Sequence, residues 1–191
     1  MPAPNEQELI NGCRNKDRYW QEQLHRTYYG RLMRICARYA RNMEDAEQLL
    51  QDGFLRIFSK IDSYEHKGSF EGWMKQIIVN ICLDFLKTKT GKAMADLEID
   101  HHLTDTLPGT IVQNGLEQLA FKDLLRIIQQ LPDMNRTVFN LFVFEGYSHK
   151  EIASLLGTTE SSSSWHVYQA RKLLQESILT HQVNDQQDAG K

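Results

Sequence analysis

The sequence holds little that could carry bond chemistry. Across 191 residues it has three cysteines, four prolines and a formal net charge of only −3. Cys13, Cys36 and Cys82 have no metal-ligand spacing and leave an odd count, so buried reduced thiols are expected. No phosphate-binding glycine loop, nucleophile elbow or metal-spaced cluster is present. The chain is therefore read as no enzyme, with no cofactor, metal or small-molecule substrate. No apolar run approaches the roughly 18 residues of a membrane span, so no membrane insertion is expected. The opening Met1-Pro2-Ala3-Pro4-Asn5 lacks a signal-peptide layout, which points to a cytoplasmic protein. Near-neutral charge argues against a simple non-specific nucleic-acid binder. The charge is unevenly spread: 15 Lys and Arg against 12 Asp and Glu in residues 1–95, and 7 against 13 in residues 96–191.

What is present is helical periodicity. A short helix over 5–14 precedes a long one over about 17–41, which Asp17 can cap. The long helix carries Trp20, Leu24, Tyr28, Leu32, Ile35, Cys36 and Tyr39 on one side. On another side Arg31, Arg34, Arg38 and Arg41 form a stripe that suits phosphates or a solvated basic face. Asn42 to Glu44 make the next turn. Residues 45–58 then place Ala46, Leu49, Leu50, Phe54, Ile57 and Phe58 on one face. Gly53 lies on that face, where another backbone could approach. A polar turn over 62–69 follows. The next helix has Phe70, Trp73, Met74, Ile77, Ile78, Ile81, Cys82, Phe85 and Leu86 in helical rhythm. Beside that stripe run Gln76, Asn80, Asp84 and Lys87, an amide-rich polar line. Its basic tail breaks at Gly91.

Periodicity is lost from Ala93 to about Asn114, where acidic residues, Pro108 and Gly109 mark a linker. Adjacent His101 and His102 have no fixed ligand geometry there, so a solvated linker is expected rather than a metal site. Helical pattern resumes with Leu116, Leu119, Ala120, Leu124, Ile127, Ile128 and Leu131. Asp133 to Glu145 reads as one helix with Val138, Leu141 and Phe142 inward. Ser148-x-x-Glu151 is a capping box opening a short helix that ends at Gly157. Thr158 and Thr159 cap a last long helix with Ser163, Val167, Ala170, Leu174 and Ile178 inward. Two short-turn-linked helices of this kind are a helix-turn-helix signature.

Two sets of residues carry a family resemblance. Asp45-Ala46-Glu47, Gln51-Asp52, Phe54, Phe58, Phe70, Trp73-Met74, Ile77, Asn80 and Asp84 resemble region 2 of the extracytoplasmic-function (ECF) sigma factors of the sigma-70 family. Leu131-Pro132, Arg136, Val138-Phe139, Glu145-Gly146-Tyr147-Ser148, Glu151-Ile152-Ala153, Leu156-Gly157, Gln169-Ala170-Arg171 and Leu174 resemble region 4. The resemblance implies an all-α chain of two small helical domains: region 2 at 5–92, an acidic linker at 93–113, region 4 at 114–180 and a polar tail at 181–191. It implies a sigma factor that binds core RNA polymerase and promoter DNA, with an anti-sigma factor as a further partner. In the family the linker threads toward the RNA exit path, where an acidic segment can mimic RNA.

By the same resemblance, Asp45, Gln48, Gln51, Asp52, Leu55 and Arg56 would bind polymerase. Tyr64, Phe70, Gln76, Asn80, Asp84, Lys87 and Lys89 would take the −10 element, with Tyr64 and Phe70 as aromatic walls and Asn80 as a base-reading amide. Ser161, Ser162, Trp165, His166, Gln169, Arg171 and Lys172 would meet the −35 element. The last helix departs from the family's basic Gly-Thr-Val-Lys-Ser-Arg-type run: it reads Ser161-Ser162-Ser163-Ser164-Trp165-His166. Four serines also suit a frayed loop, though their place after a cap favours a helix start. Two other classes fit parts of the chain. One is a helix-turn-helix regulator with a helical partner-sensing N-terminal domain, the other an adaptor without DNA binding.

Overall fold

A computed structural model describes the backbone of residues 5–91 and 115–188, and the side chains of 5–87 and 122–179. The linker, its His101-His102 pair and the side chain of Lys89 lie outside the described residues. The chain divides into two units, Met1–Leu119 and Ala120–Lys191. Every described element in both is helical.

The first unit contains α1 (Glu6–Arg14), α2 (Arg18–Tyr39), α3 (Met43–Lys60), a 3₁₀ turn (Ile61–Ser63) and α4 (Phe70–Gly91). Short polar side chains start each of the first three helices by accepting a free backbone N–H. Asn5 and Glu8 form a reciprocal capping box on α1. Asp17 accepts from Tyr19 N on α2 at 2.9 Å, and Asn42 accepts from Asp45 N on α3 at 2.7 Å. Asn42 is thus a cap and α3 begins at Met43, two residues earlier than the periodicity suggests.

The core of this unit lies where α2 packs on α1, α3 and α4, and α3 packs on α4. Leu24, Leu32, Met33 and Cys36 of α2, Leu49 and Ile57 of α3, and Phe70, Met74, Ile78 and Cys82 of α4 are buried there. Because α4 is pressed by two helices, its buried arc is wider and rotated from the expected stripe. Val79 and Leu83 are buried, whereas Trp73, Ile77, Ile81 and Phe85 are half-buried. Gly53 makes room for a side chain, not for a backbone: a Cβ there would collide with Cδ1 of Ile78.

The arginine stripe of α2 is not a continuous phosphate-facing surface. Arg31 Nη1 pairs with Glu71 Oε2 at 2.9 Å, and Arg38 is buried, donating to the Arg34 carbonyl at 3.3 Å. The ion pair of Arg31 with α4 and the burial of Arg38 divide a stripe that is uniform in sequence.

The second unit contains α5 (Gly115–Gln129), α6 (Asp133–Phe139), a π turn (Asn140–Phe144), α7 (His149–Leu156) and α8 (Glu160–Asp188). Ile128, Leu131, Phe139, Ala170 and Leu174 form one core cluster. Leu125 is buried and Leu124 is exposed, the reverse of the expected choice. Both fit the three-and-four spacing, and only packing separates them. The expected single helix over 133–145 opens after Phe139 into the π turn. Its wider bonds run from Glu145 N to Asn140 O at 3.1 Å. They keep Asn140 and Leu141 buried while Val143 and Phe144 turn outward.

Ser148 and Glu151 close a capping box on α7, with Ser148 N donating to Glu151 Oε2 at 2.8 Å. That bond and the Ser148 hydroxyl hold the Glu151 carboxyl below its ordinary range. Gly157 ends α7 in the left-handed region at φ 65°, where a Cβ would be strained. Thr159 Oγ1 accepts from Ser162 N at 3.1 Å, so the serine run is the first turn of a helix and no loop. Among the described residues of α8, Leu174 is the last buried one, and Ile178, expected inward, is exposed.

Candidate functional site

Three surfaces collect the residues singled out in the sequence. The first is the outer side of α3. The inward Ala46, Leu49, Leu50, Phe54 and Ile57 fix its rotation. Gln48, Gln51, Asp52, Leu55 and Arg56 are thereby exposed, and Asp45 is half-buried. Gln48 Nε2 donates to Asp52 Oδ1 at 3.1 Å, one helical turn away. Leu55 is 68% exposed, an apolar contact point amid amides and charges.

The second surface is the turn before α4 and the outer line of α4. Tyr64 and Phe70 are buried at 4% and 0% exposure, so neither stands as an open wall for a base. The reason is that each faces the core. Tyr28 meets the Phe70 ring edge-on at 6.0 Å, and Tyr64 lies 5.0 Å from Phe70. Both instead back Trp73, at 5.5 Å from Tyr64 and stacked 5.6 Å from Phe70. Trp73 is half-buried and lies on the same α4 line as the exposed Gln76, Asn80 and Asp84. Exposed Lys87 follows on that line, 4.0 Å from Asp84. Its aromatic character groups Trp73 with the apolar stripe, although its spacing of three and seven from Gln76 and Asn80 places it beside them.

The turn is held from within. Arg14 Nη2 of α1 donates to the Tyr64 carbonyl at 2.7 Å, and the Tyr64 hydroxyl donates to the Gly68 carbonyl at 2.9 Å. Gly68 has φ 85°, a left-handed conformation suited to glycine. Ser69 Oγ accepts from Gly72 N at 3.0 Å at the start of α4. Burial alone would raise the Glu71 carboxyl. Hydrogen bonds and charges from Lys75 and Arg31 outweigh it and hold the group below its ordinary range. Nothing in the local sequence pointed to Arg14, because its partner is fifty residues away.

The third surface is the exposed side of α8. Ser163, Val167 and Ala170 are buried beneath it. Ser161, Ser164, Trp165, Tyr168, Arg171 and Lys172 are exposed, and Ser162 and Gln169 half-buried. Trp165 is 55% and Tyr168 64% exposed. His166 differs from its expected role as a base reader. Its Nδ1 donates to Asn135 Oδ1 of α6 at 2.6 Å, which turns the ring back onto the unit. Burial pushes its pKa below the ordinary histidine value. Tyr168, not among the expected readers, lies three residues from Trp165 on the same face.

Residues 24–91 match the family model for sigma-70 region 2, and residues 121–174 match the one for sigma-70 region 4. The chain belongs to the sigma-70 family. Its curated relatives place it in the ECF subfamily. It is 28% identical over 170 residues to the ECF RNA polymerase sigma factor SigE of Mycolicibacterium smegmatis, covering 89% of this chain and 65% of that relative. It is 26% identical over 158 residues to the ECF sigma factor SigW of Bacillus subtilis, covering 79% and 84%. Among solved structures it is similar to the sigma factor RpoE in complex with the anti-sigma factor NepR from Bartonella quintana. That match has a TM-score of 0.50 at 20% identity, covers 81% and 94% of the two chains, and supports the two-domain helical fold. The region 2 match removes the reading of a conventional regulator with a sensing domain. By these matches α3 and α4 lie in region 2, and α6, α7 and the start of α8 in region 4.

Proposed function

We propose that this sigma factor binds core RNA polymerase and directs it to promoters, region 2 engaging the enzyme and the −10 element and region 4 the −35 element. The observation that carries the reading is the pair of region matches in sigma order along one chain. The factor itself makes and breaks no bonds; its work is binding and DNA melting. No described helix is long and apolar enough to cross a membrane, and the proposed site of action is the cytoplasmic polymerase.

The outer side of α3, from Asp45 to Arg56, is the proposed polymerase-docking surface. The line of Trp73, Gln76, Asn80, Asp84 and Lys87 is the proposed −10 surface. An unstacked base gains a π-face and a hydrogen-bonding edge there to offset its unpairing. Tyr64 and Phe70 contribute by holding Trp73 in place, which revises their expected role as open walls. On region 4, Ser161, Ser162, Trp165 and Gln169 face the −35 major groove, with Arg171 and Lys172 toward phosphates. A protein partner that sequesters the factor, an anti-sigma factor, completes the proposed set.

The test is a pull-down of core polymerase with the full chain, followed by transcription from a promoter library. Capture of core enzyme and selection of a two-part promoter are expected. No association with the host's own core enzyme would overturn the proposal.

A further inference from the structure

We infer that the α8 surface reads thymine through its C5-methyl group, using Trp165 and Tyr168, and does not read guanine. The inference rests on the proposed −35 role of region 4 and names the base chemistry of that contact.

Helix-turn-helix proteins meet base edges with the N-terminal part of the second helix, which here is α8. The most specific route to guanine is an arginine or lysine fork onto O6 and N7. No lysine or arginine occurs between Lys150 and Arg171, so the whole turn and the first three turns of α8 lack that fork. The one histidine in this stretch, His166, is committed to Asn135 at 2.6 Å. What the outer face does present is Ser161 and Ser164, then Trp165 and Tyr168 three residues apart.

The two aromatics are among the most exposed large side chains of the second unit. Trp165 is also held in place: its ring meets His166 edge-on, with centroids 4.9 Å apart. The bond to Asn135 therefore fixes the ring that supports Trp165. An apolar ring at a major-groove edge finds one apolar feature there, the thymine methyl. The indole N–H and the tyrosine hydroxyl can each donate, and thymine O4 accepts beside its methyl. One aromatic side chain can thus satisfy both features of the same base.

Holoenzyme reconstituted from the full chain and its host core polymerase tests the inference. A promoter selected from a duplex library is remade with uracil replacing thymine, one −35 position at a time. The swap removes the methyl and keeps base pairing. Promoter affinity is expected to fall roughly fourfold at each contacted methyl. Trp165→Ala or Tyr168→Ala is expected to abolish the difference between thymine and uracil at one position each. Equal affinity for thymine and uracil throughout, or selection of guanine at the contacted positions, overturns the inference. So does a Trp165→Ala variant that loses core-polymerase binding with promoter preference unchanged, which would make the face a protein-docking surface. Holoenzyme that forms and initiates but ignores the methyl sinks this inference alone. A chain that never joins polymerase sinks the proposed function as well.

Discussion

His166 Nδ1 of α8 donates to Asn135 Oδ1 of α6 across 2.6 Å, thirty-one residues away in sequence. A second pair, His149 Nδ1 and the buried Ser163 hydroxyl, lies 2.9 Å apart and ties α7 to α8. The π-turn residue Phe142 stacks on the His149 ring at 4.4 Å. The helix-turn-helix is thus fixed by polar bonds between helices as well as by its apolar core.

Removing the acceptor with Asn135→Ala strands the His166 N–H in a partly buried site. The expected cost is about 1–2 kcal/mol of stability, read by urea denaturation of the full chain. Burial holds the folded pKa of His166, and of His25 in the first unit, below the ordinary value of 6.5. The unfolded chain therefore binds more protons near that value. Stability should be complete above it and fall as pH drops from there through the lowered folded pKa. A His166→Gln variant should lose part of this dependence as pH falls below 6.5. Unchanged slopes would remove His166 from the account.

Gly53→Ala should destabilise the first unit, because its new methyl enters the space of Ile78 Cδ1. Overpacking of this kind costs about 1–3 kcal/mol, partly offset by the better helix propensity of alanine. Ile78→Val in the same chain should recover part of the loss. Additive losses in the double variant would argue against the contact.

Arg14→Met should loosen the turn before α4. The Tyr64 carbonyl loses a charged donor, worth about 1.5–3 kcal/mol. Amide exchange at 65–69 should accelerate more than exchange within α3. Uniform acceleration across the unit would indicate a general stability loss instead.

Asp52→Lys should weaken binding to core polymerase without unfolding the unit. The residue is exposed and accepts a local bond from Gln48 at 3.1 Å. Melting temperature should stay within a degree or so of the wild type, in line with exposed surface substitutions. Equal affinity for core enzyme would exclude this side of α3 from docking.

Asn80→Ala should lower open-complex formation more than closed-complex binding, by roughly 1–3 kcal/mol for a lost base-edge contact. Asn80 is exposed beside Trp73 and Gln76, so folding should be unaffected. Equal losses on pre-melted and duplex promoters, with base preference unchanged, would remove it as a reader.

Much of this protein was legible from residue order. Capping side chains act within three residues of their targets, so Asp17 and Ser148 declared their helix starts locally. Gly157 declared a helix end through its left-handed backbone. The inward faces of α3 and of α8 as far as Leu174 follow a single helical period, since each is buried along one stripe.

Tertiary packing decided what periodicity leaves degenerate. Leu124 and Leu125 both fit the spacing, and contact with neighbouring helices selects Leu125. Tyr64 and Phe70 went inward and Trp73 stayed half-buried at the edge, because α2 covers one side of the aromatic group. Arg31 found Glu71 and Arg14 found the Tyr64 carbonyl only after the chain brought residues 40 and 50 positions apart together. His166 likewise became a support for its helix through Asn135. The sequence by itself determined most of the helices and several of their caps, because periodicity and capping act within three or four residues, and the particular residues at those positions carried the family resemblance. Which polar side chains stay open to a partner depends on distant neighbours, and only the folded structure supplies them.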